Sequence, residues 1–288
     1  LEQFLQLLGT LNFKIMIKRP LYRFLLFSFL LILTSCEDLI DIDLNSANPK
    51  VVIVADINNE EKTHEILISK TVNFDDERPN DPVDDALVYI RLGNGRVYQF
   101  VSAGGGRYIN TDIPMAMGET YNLVVQVDGE EYTSTTRMLA YIDIDSIGVT
   151  EENIFNEDFY FINLKFNDPE GEANYYRYSM SINNKPFKFN AVFSDKFNDG
   201  NEWTHQLGSD GSGNDIKPGD NLKIRRQIIT KEVFNYWSEY ASTNPGSAAP
   251  GNPTSNISND ALGYFSVSSV RDYTVDIAPK PADPESGN

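Results

Sequence analysis

From Val51 onward the chain repeats with a period of two. Val51, Ile53, Ala55 and Ile57 fall on one face of an extended segment, and Ala86, Val88, Ile90 and Leu92 do the same ahead of Gly93-Asn94-Gly95. Tyr121, Leu123, Val125 and Val127 alternate with Thr120, Asn122, Val124 and Gln126, and Asp128-Gly129 then suits a two-residue hairpin turn into Glu131-Tyr132-Thr133-Ser134. Successive side chains of a strand point to opposite faces, so this alternation describes sheets with one face in a core and the other toward water. Short strands punctuated by Gly, Asn and Asp predict a β-sandwich.

A second β-rich stretch follows Tyr141. Tyr160, Ile162, Leu164 and Phe166 alternate, as do Tyr176, Tyr178, Met180 and Ile182 before the turn signal Asn183-Asn184; Leu222 to Ile229, Gly263 to Val267 and Asp272 to Ile277 read as further strands. One segment changes period: after Thr230, a suitable N-cap, Val233, Trp237, Tyr240 and Ala241 recur at helical spacing until Asn244-Pro245-Gly246. The expected fold class is mostly β: an N-terminal immunoglobulin-like or transthyretin-like β-sandwich at 51–140, which the Ala-x-Val-x-Ile, Gly106-x-Tyr108 and Gly118-x-x-Tyr121 patterns resemble, then a second β-rich domain with one short helix at 141–278. Residues 279–288, rich in proline, read as a disordered tail.

The first fifty residues follow other rules. Lys18, Arg19 and Arg23 precede an apolar run from Phe24 to Leu33, broken only by Ser28. As a helix it would reach about 15 Å, roughly half of a bilayer core, so residues 1–35 read as a signal peptide whose start is expected at Met16. The run ends in Leu33-Thr34-Ser35-Cys36, which resembles the bacterial lipobox: small residues beside a peptidase cut between Ser35 and Cys36, then a thiol to carry lipid. Cys36 is the only cysteine in the chain, so no internal disulfide can form. Residues 36–50, opening Glu37-Asp38-Leu39-Ile40-Asp41, read as a lipidated acidic tether that directs the protein to the outer membrane, facing the cell exterior. Removal of residues 1–35 leaves 20 basic and 41 acidic side chains. A net negative field of that size repels nucleic acid, so the membrane is expected to be met through lipid and not through charge.

Three stretches carry a family resemblance: the lipobox leading into Val51-Val52-Ile53-Val54-Ala55-Asp56-Ile57, the run from Phe193 to Gly200, and Asn252 to Ile257 followed by Ala261-Leu262-Gly263-Tyr264-Phe265. Together they resemble the lipoprotein family called domain of unknown function 4249, common in Bacteroidota. That resemblance implies an accessory lipoprotein acting beside a TonB-dependent outer-membrane transporter in nutrient capture.

Candidate chemistry is sparse. His64 lies in a polar turn and His205 in a polar loop, so both are expected to be solvated, and neither zinc ligation nor a nucleophile elbow can be assembled. Asp195-x-Phe197-x-Asp199-Gly200 has the glycine of an EF-hand loop but lacks its chelating set, with Phe197 at position three and Gln206 at position twelve. No metal, no cofactor and no catalytic residue is expected. Trp203, in a Gly- and Asp-rich loop, is either a core plug or a platform for a glycan or peptide; Tyr175 and Arg177, on the opposite face of their strand from Tyr176 and Tyr178, are candidates for a shallow ligand surface. Long loops at 194–215 and 243–259 are the expected place for a site. The functional expectation is a non-enzymatic, ligand-binding or transporter-accessory surface lipoprotein, with a structural or adhesive envelope protein as the alternative and a glycan or peptide hydrolase behind both.

Overall fold

The computed structural model describes residues 49–72, 79–209, 215–243 and 251–280. Residues 1–35, read as a signal peptide, Cys36 and most of the expected tether, Asn244-Pro245-Gly246 and residues 281–288 lie outside the described residues.

The alternation becomes strands where it was expected. β1 (Val51–Asn58), β2 (His64–Lys70), a two-residue β3 (Asp81–Pro82), β4 (Leu87–Leu92), β5 (Val97–Gly104), β6 (Arg107–Asn110), β7 (Thr120–Val127) and β8 (Glu130–Arg137) come first. The apolar sets of β1, β4 and β7 all face one core, joined by Ile66, Ile68, Phe100 and Tyr108. The hairpin between β7 and β8 turns on Asp128 and Gly129, at φ of 55° and 82°. Two successive residues at positive φ match the right-handed twist of the flanking strands.

The second half supplies β9 (Ser146–Ile154), β10 (Glu157–Asn167), β11 (Tyr175–Ile182), β12 (Lys188–Ser194), β13 (Glu202–Leu207), β14 (Asn221–Ile229), α1 (Lys231–Thr243) and β15 (Leu262–Asp276). A small sheet in the order β13-β10-β9 and a long sheet running β12-β11-β14-β15-β1-β2-β6-β5-β4-β7-β8 result. The buried residues of β10 share a core with those of β11 and β14, so the small sheet covers the β11–β14 end of the long one. The Asn183-Asn184 turn joining β11 toward β12 again has two positive φ values, 54° and 59°.

The two strands expected at the C-terminal end are one. Residues 262–268 of β15 lie parallel to β1, and residues 269–276 lie antiparallel to β14. Gly263 marks the entry: its φ is +91°, and a Cβ there would sit 2.0 Å from the Ile53 carbonyl oxygen. Only a residue without a side chain lets β15 approach β1 so closely.

α1 follows Thr230, whose carbonyl accepts the Phe234 amide at 2.9 Å. Val233 is buried against Ile229 and Tyr264, with Phe234, Tyr236 and Trp237 packed around them. The helix thereby covers the outer face of β11, β12 and β15. Among the described residues no helix is long and apolar enough to cross a membrane.

Candidate functional site

The three sequence-nominated contacts separate. Trp203 is not in a loop: β13 runs through the 194–215 segment and pairs with β10, placing Trp203 opposite Phe166. It is half-buried against that core, with Phe166, Tyr176 and Phe193 rings at 6.1–6.4 Å, which is the plug arrangement. Arg177 does point away from the β10 core, yet it is not on an open surface. It lies 7% exposed beneath α1, with its guanidinium carbon 4.0 Å from the Trp237 ring centroid and Nη1 2.5 Å from Asp56 Oδ2. Tyr264 donates to the same oxygen at 3.2 Å. Burial pulls the Arg177 pKa down, but Tyr264 and Asp56 outweigh it and the net shift is upward. Tyr175, half-buried, rests on Phe234 of α1 at 5.1 Å. The helix therefore occupies the face that sequence alone left open.

Both histidines are also inside. His64 opens β2 at 3% exposure and His205 lies in β13 at 1%. Burial lowers the His64 pKa, opposed by Glu61. Burial, reinforced by the Arg226 charge, pushes that of His205 down to about 2. His205 stacks on Phe193 at 4.1 Å, and its Nδ1 meets the Tyr178 hydroxyl at 2.7 Å. That hydroxyl accepts from Arg226 Nε at 2.9 Å, so arginine, tyrosine and histidine form one buried chain of hydrogen bonds. Arg226, wholly buried, also donates from Nη1 to the Ile142 carbonyl and lies 4.4 Å and 4.7 Å from the Phe166 and Tyr176 ring centroids. Aromatic faces and hydroxyl oxygens stand where a carboxylate partner would otherwise be needed.

A third group of polar residues lies where two connections cross between the sheets. The 168–174 segment leads from β10 to β11, and the 195–201 segment returns from β12 to β13. They run side by side: the Asp168 amide donates to the Asn201 carbonyl at 3.0 Å and the Asp195 amide to the Asn174 carbonyl at 3.2 Å. The pairing brings Asp168, Asp195 and Asp199 together, with a carboxylate oxygen of each within 4.8 Å of the others. One oxygen of each is engaged. Tyr176 donates to Asp168 Oδ1, the Asn174 amide to Asp195 Oδ2 at 2.6 Å, and the Gly171 amide to Asp199 Oδ1 at 2.8 Å. Asp168 and Asp195 are buried, at 5% and 3% exposure, and Asp199 reaches solvent. Asp168 Oδ2 and the neighbouring Asn174 Oδ1 are buried without a hydrogen-bond partner. Among the described residues none of the three carboxylates forms an ion pair. Burial pushes the Asp168 carboxyl up; the Tyr176 hydrogen bond opposes this and the Asp195 charge adds to it.

Two of the three acids of this cluster are visible in the sequence pattern. Asp195 and Asp199 stood out as an incomplete EF-hand, and the structure has no helix on either side of them. The missing member, Asp168, comes from a different connection. Its only local signal is its place at the end of a strongly alternating strand, before Pro169.

The model of a protein family described as Domain of unknown function (DUF4249) matches residues 37–274. No curated protein matches the chain.

Proposed function

We propose that this chain, which belongs to the family described as Domain of unknown function (DUF4249), is a lipid-anchored outer-membrane protein facing the cell exterior, which binds a glycan or peptide ligand without transforming it and serves as an accessory to a TonB-dependent nutrient transporter. The observation that carries this reading is the setting of Cys36. The sole cysteine ends a basic-flanked apolar run, directly behind Leu33-Thr34-Ser35 and ahead of an acidic stretch. Each methylene of an acyl chain buried in a bilayer contributes about 0.8 kcal/mol, so several chains on one residue hold a protein firmly where a single chain would not.

The body of the protein supports the non-catalytic part. His64 and His205, the two side chains best suited to proton transfer near neutral pH, are buried and biased toward the neutral form. The Arg177 and Arg226 guanidinium groups are spent on internal packing. What the described residues offer the outside is loops on a rigid scaffold, the usual place for recognition.

The test is metabolic labelling with palmitate followed by membrane fractionation. Wild-type protein takes up label and sediments with outer membranes, and Cys36→Ser abolishes both. Unlabelled wild-type protein, or a mature amino terminus at another residue, overturns the anchor. Purification of the native envelope complex is expected to yield a transporter. Recovery with structural envelope proteins alone would replace the accessory role by an adhesive one, and turnover of a glycan or peptide that one carboxylate substitution abolishes would replace binding by hydrolysis.

A further inference from the structure

We propose that Asp168, Asp195 and Asp199, together with the side-chain oxygen of Asn174, bind a calcium ion that clasps the two connections between the sheets of the second sandwich. Three carboxylates with oxygens within 4.8 Å of one another repel each other, and in a poorly screened site that repulsion is large. A protein that only needed a turn here would engage the acids with arginine or lysine, or replace them with asparagine. Instead, one oxygen of each carboxylate is anchored by a backbone amide or by the Tyr176 hydroxyl, which fixes the side chains while Asp168 Oδ2 stays without a donor.

The independent sign of a ligand is the pair of orphaned acceptors. Asp168 Oδ2 and Asn174 Oδ1 belong to residues 95% and 94% buried, and neither has a donor. A buried acceptor without a donor costs about 1–3 kcal/mol, more when it is charged, and two beside one carboxylate cluster call for the same remedy. A cation beside them would satisfy both acceptors at once and offset the carboxylate charges, which the amide and hydroxyl donors already there do not neutralise.

The donor set selects the metal. All four candidate ligands are oxygen, with neither histidine nor thiol, which excludes a zinc-type site. Carboxylates combined with an amide oxygen on connecting loops suit calcium, which takes six to eight oxygens in a flexible shell. Magnesium demands a near-ideal octahedron and holds its waters. Asp199 faces solvent, leaving that side for water ligands. Gly200 completes the device. Its φ is +71°, and a Cβ there would lie 2.9 Å from Glu170 Cβ, so the glycine lets the second connection pass against the first while Asp199 turns back toward Asp168.

The site does not depend on the lipid anchor or on a transporter, so its failure would leave the proposed function standing, and the reverse also holds. The test uses the full chain purified in detergent, stripped with a chelator, and titrated with calcium chloride or magnesium chloride by calorimetry and by thermal melting. The expected result is one calcium per chain with a Kd between about 10⁻⁶ and 10⁻³ M, magnesium at least tenfold weaker, and a rise in Tm of about 5–10 °C at a hundredfold excess of calcium over Kd. Asp199→Asn should weaken calcium at least tenfold while melting no lower than the stripped wild type, because it relieves repulsion in the empty cluster. Asp168→Asn should abolish the calcium response while melting no lower than the stripped wild type, because it removes an uncompensated buried charge. An absent calcium effect on the wild type, several weak sites insensitive to both substitutions, or equal affinity for magnesium would overturn the assignment.

Discussion

Around β1, β4 and β7 the core is filled by Val51, Ile53, Val88, Ile90, Leu123 and Val125 and their neighbours, with Phe100, Tyr108, Tyr121 and Phe265 as its buried aromatic members. Around β10, β11 and β14 the core closes instead over Arg226 and His205, walled by Phe166, Tyr176, Tyr178 and Trp203. Both arise from the same alternation, but they are held by different physics. Aliphatic packing is non-directional and tolerates exchange at constant volume. A buried guanidinium needs its acceptors and ring faces in fixed positions, so it specifies one arrangement and makes stability conditional on charge.

Removing the buried guanidinium should separate the two cores most. Arg226→Ala leaves a cavity among Phe166, Tyr176 and Tyr141 and takes the donor from the Tyr178 hydroxyl and the Ile142 carbonyl. A loss of about 3–5 kcal/mol is expected in urea unfolding. Gly263→Ala comes next, at about 3 kcal/mol, because the methyl meets the Ile53 carbonyl at a positive φ. The strand it disturbs contributes Phe265 and Val267 to the first core and pairs with β14 in the second. Near-UV circular dichroism and tyrosine fluorescence should therefore lose both cores in one transition; two separated transitions would show them to be independent.

Titration sharpens the contrast further. The folded pKa of His205 lies at about 2, below the ordinary value of 6.5. Below pH 6.5 the unfolded chain binds a proton that the native state refuses. The contribution of this group is thus complete above that pH and is lost as pH falls toward 2, at up to about 1.4 kcal/mol per unit. His64 acts in the same direction in the first half. Guanidinium unfolding measured at a series of pH values should show His205→Phe flattening the slope more than His64→Gln. Within the aliphatic core, Ile90→Val should cost only about 1 kcal/mol by the same assay. The smallest effect is expected at the exposed Arg107–Glu65 pair, 2.7 Å apart: Glu65→Gln should change stability by less than about 1 kcal/mol.

Much of the architecture was legible from residue spacing. The faces of β1, β4, β7, β10 and β11, the turns at Asp128-Gly129 and Asn183-Asn184 and the helix after Thr230 follow from periods and turn chemistry that act over a few residues. The site was less legible. Trp203 and His205 read as loop residues because a short strand among Gly, Asp and Asn shows little alternation, and β13 pairs along the edge that β10 offers it. Arg177 reads as a residue of an open face because nothing in its own strand reveals that α1, more than fifty residues later, packs over it.

Which side of each strand is apolar, where the chain turns, and that the one cysteine follows an apolar run can all be read from neighbours along the chain. The tertiary structure decided that β15 joins β1 to β14, that Arg226 lies inside a ring of aromatics, and that Asp168 meets Asp195 and Asp199. Those are encounters between segments far apart in the chain. They are set by which strand edges pair and which loops then lie side by side, and no local pattern encodes that choice.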